Sequence, residues 1–276
     1  MMKNRPDTII FLGTAAAEGW PGLFCECEHC SNARASGGRN IRTRASVMIG
    51  EKYKVDFPPD TFMQMLREGL DLSKLEYLFI THEHADHFCL AELCWRFPPF
   101  AHIKDGRILN VYGNSIVAQA MEGVRDVMEK SNILVHCVKP FEIFDAGEMK
   151  VIPLPADHSP ESLLYIFQFH GKSILYGNDS GWFPSQTWEE IGRYNLDIAI
   201  LDCTNGPLPV EDRWHMGISG VMRAKENMEK MGIANSDTRF IATHFSHNGG
   251  LLYEDLCKKL NPAGITVAYD GLRIDL

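Results

Sequence analysis

Apolar runs with the length of buried strands alternate with segments of helical periodicity along most of the chain. The runs predict strands at residues 9–12, 46–50, 52–56, 75–80, 108–112, 133–138, 141–144, 149–154, 163–169, 173–176, 196–201 and 239–243, followed by two short strands. Helical patterns cover residues 61–69, 88–97, 115–130, 185–194, 217–231 and 252–260. The first of these helices would place Phe62, Met65 and Leu66 on one face. With no linker, low-complexity segment or clean repeat, the pattern predicts an α/β fold in which residues 1–276 form a single domain.

Composition and charge are those of an ordinary folded protein, with 45% hydrophobic and 23% charged residues among 276. A chain of this length buries about 75% of the surface of its unfolded form, so its core does not need disulfide bonds for stability. The formal net charge of −9 argues against a broad nucleic-acid interface, because such an interface needs a basic face.

The amino-terminal segment Met1 to Asp7 is polar, and no apolar run approaches the roughly 20 residues that span a bilayer. We therefore expect neither a signal peptide nor a membrane span, and we predict a cytoplasmic protein. In that compartment the eight cysteines are expected to be thiols or metal ligands rather than a disulfide framework.

The largest cluster of candidate functional residues directly follows the predicted strand 75–80, in the sequence Thr81-His82-Glu83-His84-Ala85-Asp86-His87. His82 and His84 are two residues apart, so on an extended segment their side chains project to the same side. Asp86 and His87 follow at the turn into the next helix and can reach a second position close by. Imidazole and carboxylate groups are common metal ligands. The spacing favours two adjacent metal ions over one, and over a loop that is rich in histidine by chance.

Three further candidate ligands, His158, Asp179 and His244, recur at the same kind of position, the carboxyl end of a predicted strand. Because strand ends at one edge of a sheet converge in space, residues this far apart in sequence can share a site. Alone, His158 would be interpreted as a loop histidine and Asp179 as a turn residue. Together with the motif at 82–87, each is predicted to be a ligand.

A second set of candidate ligands is Cys25-Glu26-Cys27-Glu28-His29-Cys30, in a cysteine-rich loop at 13–38. Thiolate ligands of zinc usually lie two to four residues apart. Three cysteines in one tight loop predict a structural zinc whose fourth ligand comes from elsewhere. His29 is the nearest candidate, but its position next to Cys30 would strain a tetrahedral site, which favours a distant histidine. Reduced cysteines without a metal are the alternative.

The motif at 82–87, followed in order by His158, Asp179 and His244, resembles that of the metallo-β-lactamase superfamily over nearly the whole chain. The resemblance implies a four-layer αββα sandwich and a binuclear-metal hydrolase.

The resemblance also divides the ligands into two sets. One metal would be held by His82, His84 and His158. The other would be held by Asp86, His87 and His244. Asp179 would bridge the two ions, and Asp56, at the end of a predicted strand, would support the ligands by hydrogen bonding.

Within the superfamily, Cys25-x-Cys27-x-x-Cys30 together with Thr243-His244-Phe245-Ser246-His247 is similar to the PhnP-type phosphodiesterases, which open cyclic ribose phosphates. In that group the cysteine loop and the second histidine of the pair bind a structural zinc, so the resemblance makes His247 the fourth ligand. The group also has a histidine after a strand that ends in Asp-Cys, taken as a general acid or base. Asp202-Cys203 and His215 match that arrangement, with an exposed loop histidine as the alternative for His215.

These resemblances imply a phosphodiesterase that acts on small, cyclic phosphodiesters by attack of a metal-bound hydroxide, with Asp86 and His215 as catalytic residues. Its cofactors would be two divalent ions, Zn or Mn with Fe or Ni as alternatives, and one structural Zn. We expect a small-molecule substrate rather than a nucleic acid or a membrane. The oligomeric state is open, with a homodimer as one outcome.

Two departures leave other functions open. The loop 13–17 is similar to PqqB-type proteins, although those usually lack the full histidine motif, and residues 159–162 differ from the PhnP-type sequence. One rival is another hydrolase of the superfamily: a thioesterase, a lactamase or a ribonuclease Z-like tRNA processor. The net charge and the lack of a long basic arm weigh against the tRNA processor. The other rival is a non-enzymatic, PqqB-like carrier.

Overall fold

The computed structural model describes residues 8–276. Its strands are β1 Thr8–Gly13, β2 Ser46–Ile49, β3 Tyr53–Val55, β4 Tyr77–Phe79, β5 Leu109–Gly113, β6 Ile133–Cys137, β7 Phe144–Ala146, β8 Met149–Pro155, β9 Leu163–Phe169, β10 Lys172–Gly177, β11 Ile198–Asp202, β12 Arg239–Thr243, β13 Ile265–Val267 and β14 Arg273–Asp275. Its α-helices are α1 Glu28–Ser36, α2 Thr61–Glu68, α3 Leu90–Leu93, α4 Ser115–Glu122, α5 Arg125–Lys130, α6 Ser185–Ile191, α7 Ile218–Lys230 and α8 Tyr253–Leu260. The polar segment 1–7, on which the expectation of no signal peptide rests, lies outside the described residues.

The strands of residues 8–276 form two sheets of seven strands each. The order in the first sheet is β14-β1-β2-β3-β4-β5-β6, and in the second it is β13-β12-β11-β10-β9-β8-β7. Strands β3 to β6 run parallel to one another, as do β10 to β13. All other neighbours are antiparallel.

The facing sides of the two sheets enclose an apolar core. Phe11, Val55 and Phe79 contribute buried side chains from the first sheet, and Tyr165 and Phe167 contribute them from the second. The ring centroid of Phe79 lies 5.9 Å from that of Tyr165 and 5.1 Å from that of Phe167, so the sheets are in direct contact. Because strand residues alternate between faces, their neighbours point outward and lie beneath helices.

Helices cover the outer face of each sheet. Val117, Met121 and Met128 of α4 and α5 pack on the first sheet. Val221 of α7 and Leu256 of α8 pack on the second. The layers therefore run helix, sheet, sheet, helix, which confirms the predicted αββα sandwich. In the described range, no helix is long and apolar enough to cross a membrane.

Two hydrogen bonds join the sheets at the edge where β4 ends. Leu163 N donates to the carbonyl of Thr81 at 2.9 Å, and the buried hydroxyl of Tyr165 donates to the carbonyl of Ile80 at 2.9 Å. The segment that follows β4 is thereby held against the second sheet, whose strands β8, β10, β11 and β12 end at the same edge. This is where the predicted ligands meet.

The predicted helix at 88–97 is shorter in the structure, where only the single turn α3 is helical. The main chain on both sides of Phe88 is occupied by contacts with Phe57, because Phe57 N donates to His87 O at 2.7 Å and Cys89 N donates to Phe57 O at 2.8 Å. These bonds form an isolated β-bridge between Phe57 and Phe88 directly after the turn at residues 85–87, so the helix starts only at Leu90. The predicted helix 115–130 is likewise divided, into α4 and α5, at Gly123, a residue with weak helix propensity.

The apolar residues of α2 do not face the main core. Phe62 and Leu66 are 63% and 62% exposed, whereas Gln64 is buried. Gln64 Nε2 donates to Thr43 Oγ1 and to Arg44 O, both at 3.0 Å, so hydrogen bonding rather than apolar burial attaches the inner side of α2.

Candidate metal centres

A fully buried carboxylate organises the segment after β4. Asp56, at the end of β3, accepts hydrogen bonds from Thr81 N at 2.8 Å and from Thr81 Oγ1 at 2.9 Å. Its other oxygen lies 2.8 Å from Nδ1 of His87. This bond fixes a proton on Nδ1 of His87 and turns Nε2 into the site, the usual arrangement behind a ligating histidine.

The structure brings three imidazoles together in a first cluster: those of His82, His84 and His158. Nδ1 of His84 lies 3.0 Å from Nε2 of His82 and 3.2 Å from Nε2 of His158. The outer nitrogens have other neighbours: His82 Nδ1 lies 3.0 Å from Thr81 Oγ1, and His158 Nδ1 lies 3.2 Å from the carbonyl of Trp214. The inner nitrogens therefore converge on one point, in a geometry suited to a single ion.

The second cluster contains Asp86, His87, Asp179 and His244, whose ligand atoms all lie within 4.8 Å of one another. His87 Nε2 is 3.1 Å from Asp86 Oδ2 and 2.8 Å from Asp179 Oδ2. His244 Nε2 is 3.6 Å from Asp179 Oδ2, and its Nδ1 lies 2.7 Å from the hydroxyl of Thr204.

Asp179 lies between the two clusters. Its Oδ2 is 3.4 Å from His82 Nε2, and its Oδ1 is 3.6 Å from His158 Nε2, both in the first cluster. The same carboxylate contacts His87 and His244 of the second cluster. Its position is that of a bridging ligand.

Buried polar atoms without partners show that these residues fit metal ions. His87 Nε2, His244 Nε2 and Asp179 Oδ1 are buried, and none takes part in a hydrogen bond. Their nearest neighbours are other candidate ligands, as for His87 Nε2, which lies 2.8 Å from Asp179 Oδ2. Buried polar atoms normally have partners, so unpaired atoms that all point to one place are explained by a cation bound among them.

Charges in the site favour that cation. Burial opposes ionisation of Asp179, but the imidazoles of His244 and His87 hold its pKa well below the usual range. Burial and the charge of His87 lower the pKa of His82 far below its ordinary value, which leaves a neutral imidazole. Burial also opposes protonation of His87, yet Asp56 and Asp86 raise its pKa well above normal. The carboxylates thus set a negative field, which a divalent ion would neutralise.

Three residues of the site have left-handed backbone conformations. The φ angles of Asp56, Asp179 and His244 are 59°, 55° and 60°. Each residue directly follows a strand or lies within two residues of one, and the sharp turn aims its side chain across the end of the sheet. Such angles are uncommon for residues other than glycine.

His215 lies beside the bridging carboxylate. Its Nδ1 is 3.0 Å from Oδ2 of the fully buried Asp202 and 3.1 Å from Oδ1 of Asp179. Burial disfavours its charged form, but Asp202 outweighs that effect and raises the pKa of His215 to about 9. Asp202 also accepts from Thr204 N at 2.9 Å and from Met216 N at 3.2 Å, so it is fixed in place.

The cysteine loop forms a third cluster, which includes His247. The ligand atoms of Cys25, Cys27, Cys30 and His247 all lie within 4.8 Å of one another. His247 Nδ1 is 3.4 Å from the sulfur of Cys27 and 3.8 Å from that of Cys25. The cluster contains the distant histidine and not His29. Three sulfurs and one imidazole are a typical donor set for tetrahedral zinc.

Thiol acidity differs within this cluster. The backbone N–H of Cys30, which donates to Cys27 Sγ at 3.4 Å, lowers the pKa of Cys27 to about 6. Burial instead raises the pKa of Cys30 to about 11. A lower thiol pKa favours the thiolate, which is the form of cysteine that binds a metal ion.

Several functional contacts have no clear signal in the sequence. Thr204, which connects Asp202 to His244, is an ordinary residue in a loop, and only its spacing from Asp202 could suggest the contact. The carbonyl of Trp214 beside His158 and the carboxylate of Glu18, 3.6 Å from His247 Nε2, could not be inferred from residue type.

Two facing sheets between helices, with histidine and aspartate ligands at one sheet edge, define the divalent-metal hydrolases of the αββα sandwich class. The chain belongs to the beta-lactamase superfamily, whose domain matches residues 55–245. The predicted relationship is thereby confirmed.

Known proteins of three kinds are similar to this chain. A crystal structure of a diphosphatase from the PhnP family has 28% identity and a TM-score of 0.75, and the match covers 98% of this chain and 96% of that protein. Coenzyme PQQ synthesis protein B of Methylorubrum extorquens is 23% identical, over 97% of this chain and 99% of its own length. Ribonuclease Z of Listeria welshimeri is 29% identical, but over only 57% of this chain and 47% of its own length.

Proposed function

We propose that this protein is a binuclear-metal phosphodiesterase that acts on small phosphodiesters, including cyclic ones. The observation that carries the proposal is the position of Asp179, between two ligand clusters and in contact with His215. Two ligand clusters that share one carboxylate suit the phosphoryl group, whose several oxygens can be held at once. The similarity to a PhnP-family diphosphatase over 98% of the chain supports phosphoryl chemistry.

The two clusters would hold two divalent ions, with Asp179 shared between them. Imidazole and carboxylate ligands accept Zn or Mn, and Fe or Ni are alternatives. When bound, such ions polarise a phosphoryl oxygen and lower the pKa of water from about 15.7 to about 7. The cysteine cluster with His247 would hold one structural Zn.

His215 would act as the general acid. Because Asp202 raises the pKa of His215 to about 9, the imidazole is protonated at neutral pH. Its Nδ1 is held by Asp202, so Nε2 is free to give a proton to the departing alkoxide oxygen. Asp86 would act as a ligand in the second cluster, where its Oδ2 lies 3.1 Å from His87 Nε2.

We also propose a domain organisation, a substrate type, a compartment and an assembly for this activity. Residues 1–276 would work as one domain, with the cysteine loop at 13–38 as part of it. The negative net charge supports a small-molecule substrate over a nucleic acid, and the reduced cysteines of the third cluster suit the cytoplasm. A homodimer is one candidate assembly.

A substrate panel on the metal-loaded chain tests the proposal. It contains bis(p-nitrophenyl) phosphate, 2′,3′- and 1,2-cyclic ribose phosphates, a diphosphate diester, a thioester, a β-lactam and a tRNA precursor. Hydrolysis of the phosphodiesters, lost in His84→Ala and kept in His102→Ala, is the expected result, since His102 is exposed and outside the clusters. Activity on the lactam or the thioester alone would contradict it.

A non-catalytic carrier is the second candidate, because similarity to PQQ synthesis protein B extends over nearly the whole chain. No turnover of any substrate in the panel, by a chain that still binds its metals, would favour the carrier. Cleavage of the tRNA precursor alone would instead favour a ribonuclease Z-like processor, in line with the partial match to that enzyme.

A further inference from the structure

Trp214 combines a strained backbone with an exposed indole at the rim of the metal centre. Its φ angle is 64°, a left-handed conformation that is unfavourable for a bulky residue, and its side chain is 60% exposed. It directly precedes His215. Strain of this kind persists only where the surrounding structure maintains it, and it is concentrated at functional sites.

The backbone of Trp214 serves the metal centre. Its N–H donates to Asp157 Oδ2 at 3.3 Å, and its carbonyl lies 3.2 Å from His158 Nδ1. The loop is packed so closely here that a Cβ on Gly181 would lie 2.6 Å from Trp214 N and 2.4 Å from Asp212 O. These contacts explain why the chain turns at this position, and why residue 214 has a left-handed conformation.

They do not explain a tryptophan. Asparagine or glycine adopts the left-handed conformation with less strain and would offer the same N–H and carbonyl. The indole has no role in the core, because most of its surface is in water. What distinguishes tryptophan is a large flat apolar surface, and here that surface is exposed at a residue that precedes His215 and contacts His158 through its carbonyl.

A cation accompanies the indole. The guanidinium carbon of Arg213 is 6.0 Å from the centre of the Trp214 ring. Arg213 is exposed, and among residues 8–276 it forms no ion pair with a carboxylate. A flat surface beside an unneutralised positive charge is suited to a ligand that is both aromatic and anionic.

We propose that Trp214 is a specificity residue that stacks on the base of a nucleotide-type phosphodiester, with Arg213 attracting its anionic portion. The inference rests on the proposed function, because it presumes phosphoryl chemistry at the metal centre. Stacking of a base on an aromatic side chain is worth about 1–3 kcal/mol by alanine substitution. Since about 1.4 kcal/mol corresponds to a tenfold change, the base should improve binding roughly tenfold.

Calorimetry with two probes that differ in the base tests this. Adenosine 5′-monophosphate and ribose 5-phosphate are titrated into the zinc-loaded full chain. The wild type should bind the nucleotide about tenfold more tightly, Trp214→Phe should keep most of that preference, and Trp214→Ala and Trp214→Asn should lose it. Trp95→Ala, which removes another tryptophan that is 51% exposed, should bind like the wild type.

The metal content of each variant shows whether the backbone contact with His158 survives. Equal binding of the two probes by the wild type, binding of neither, or a preference that persists in Trp214→Ala at full metal content would overturn the inference. The titration does not depend on turnover. A failed substrate panel with an intact base preference therefore overturns only the proposed function, and phosphodiester hydrolysis without a base preference overturns only the role of Trp214.

Discussion

Asp56 shows how a residue that binds no metal can control those that do. It is completely buried and uses both carboxylate oxygens, one on Thr81 and one on His87. Thr81 in turn contacts His82, so a single side chain orients one ligand of each cluster.

We expect Asp56→Asn to lower metal affinity by about 10- to 100-fold, because the amide cannot both hold His87 Nδ1–H and accept from Thr81 N. Chelator competition measures this loss. Asp145→Asn, at an exposed position on β7, is the control and should retain the wild-type affinity. Unchanged affinity in Asp56→Asn would show that the ligands orient themselves without it.

His215→Ala should lower turnover of a phosphodiester with an alkoxide leaving group by roughly 100- to 10,000-fold, because the proton donor is removed. Metal content should not change, since His215 belongs to neither of the two proposed ligand sets and contacts only the shared Asp179 among their carboxylates. With a p-nitrophenolate leaving group, which needs no proton, the loss should be much smaller. Equal losses with both leaving groups would exclude His215 as the acid.

Lys54 gives a pH-dependent prediction away from the ligands. It is fully buried, and burial lowers its pKa to about 7, well below the unfolded value of about 10.4. At pH values between these two pKa values, Lys54 is protonated in the unfolded chain and deprotonated in the folded chain. In this range Lys54 makes the free energy of unfolding rise with pH, by up to about 1.4 kcal/mol per pH unit. Below pH 7 Lys54 is protonated in both states, and the full cost of burying its charge lowers the free energy of unfolding.

Lys54→Met should therefore be more stable than the wild type near pH 7, and the difference should shrink towards pH 10. Asp56 O keeps a partner in the variant, because Ser46 Oγ donates to it at 3.0 Å. Urea unfolding of metal-loaded protein at several pH values measures the difference. Lys139→Met, at an exposed lysine, should give a curve parallel to the wild type. A parallel curve for Lys54→Met would refute the prediction.

Residue types at strand ends predicted which side chains would meet, because imidazole and carboxylate groups that follow neighbouring strands of one sheet converge at its edge. They could not predict partners that act through the main chain. Trp214 contributes its carbonyl and Thr204 its hydroxyl only because the loop 203–216 folds over the site, and no periodicity describes that path.

At the scale of elements, the segment after β12 connects two metal sites. His244 belongs to the second cluster and His247 to the cysteine cluster, three residues later. The main chain reinforces the connection, because Phe245 N donates to Thr14 O at 2.8 Å and Ala16 N donates to Phe245 O at 3.1 Å. The cysteine loop is thus attached directly to the base of the active centre.

The double variant Cys27→Ser, Cys30→Ser should lose one metal per chain, measured by elemental analysis, and should unfold at lower temperature because the loop loses its anchor. Cys137→Ser, at an exposed free cysteine, should keep all three metals. Three metals per chain in the double variant would eliminate the structural zinc.

Strands were predicted more accurately than helices, for a physical reason. An apolar run that ends in a polar cluster identifies a strand end almost by itself, and β4, β8, β10 and β12 all carry this signature. The boundaries of a helix such as the one predicted at 88–97 depend on which groups the main chain forms hydrogen bonds with. There the extended pairing with Phe57 takes precedence over local periodicity.

At the scale of the whole molecule, the candidate metal ligands come from both sheets. His82, His84, Asp86 and His87 follow β4 of the first sheet, whereas His158, Asp179 and His244 follow strands of the second. Bound ions would therefore connect the two halves of the sandwich at one edge, in addition to the apolar core between them.

Removal of the metals should lower the melting temperature along with activity, because ligands that bind only the folded state stabilise it. An ion present at 100 times its Kd contributes about 2.7 kcal/mol. Scanning calorimetry with and without chelator measures the shift, and restoring Zn or Mn should reverse it. An unchanged melting temperature after complete metal loss would mean that the clusters contribute nothing to holding the sheets together.

The left-handed backbone at Asp56, Asp179 and His244 sets a limit on how this protein can be made more durable. Glycine or asparagine at such a position would relieve the unfavourable left-handed conformation. At these three positions such a replacement would relax the chain and remove the carboxylate or imidazole in the same step. Thermal stability and activity therefore make opposite demands on these three residues at the sheet edge. Stabilising substitutions are better placed on the surface and in the outer helices.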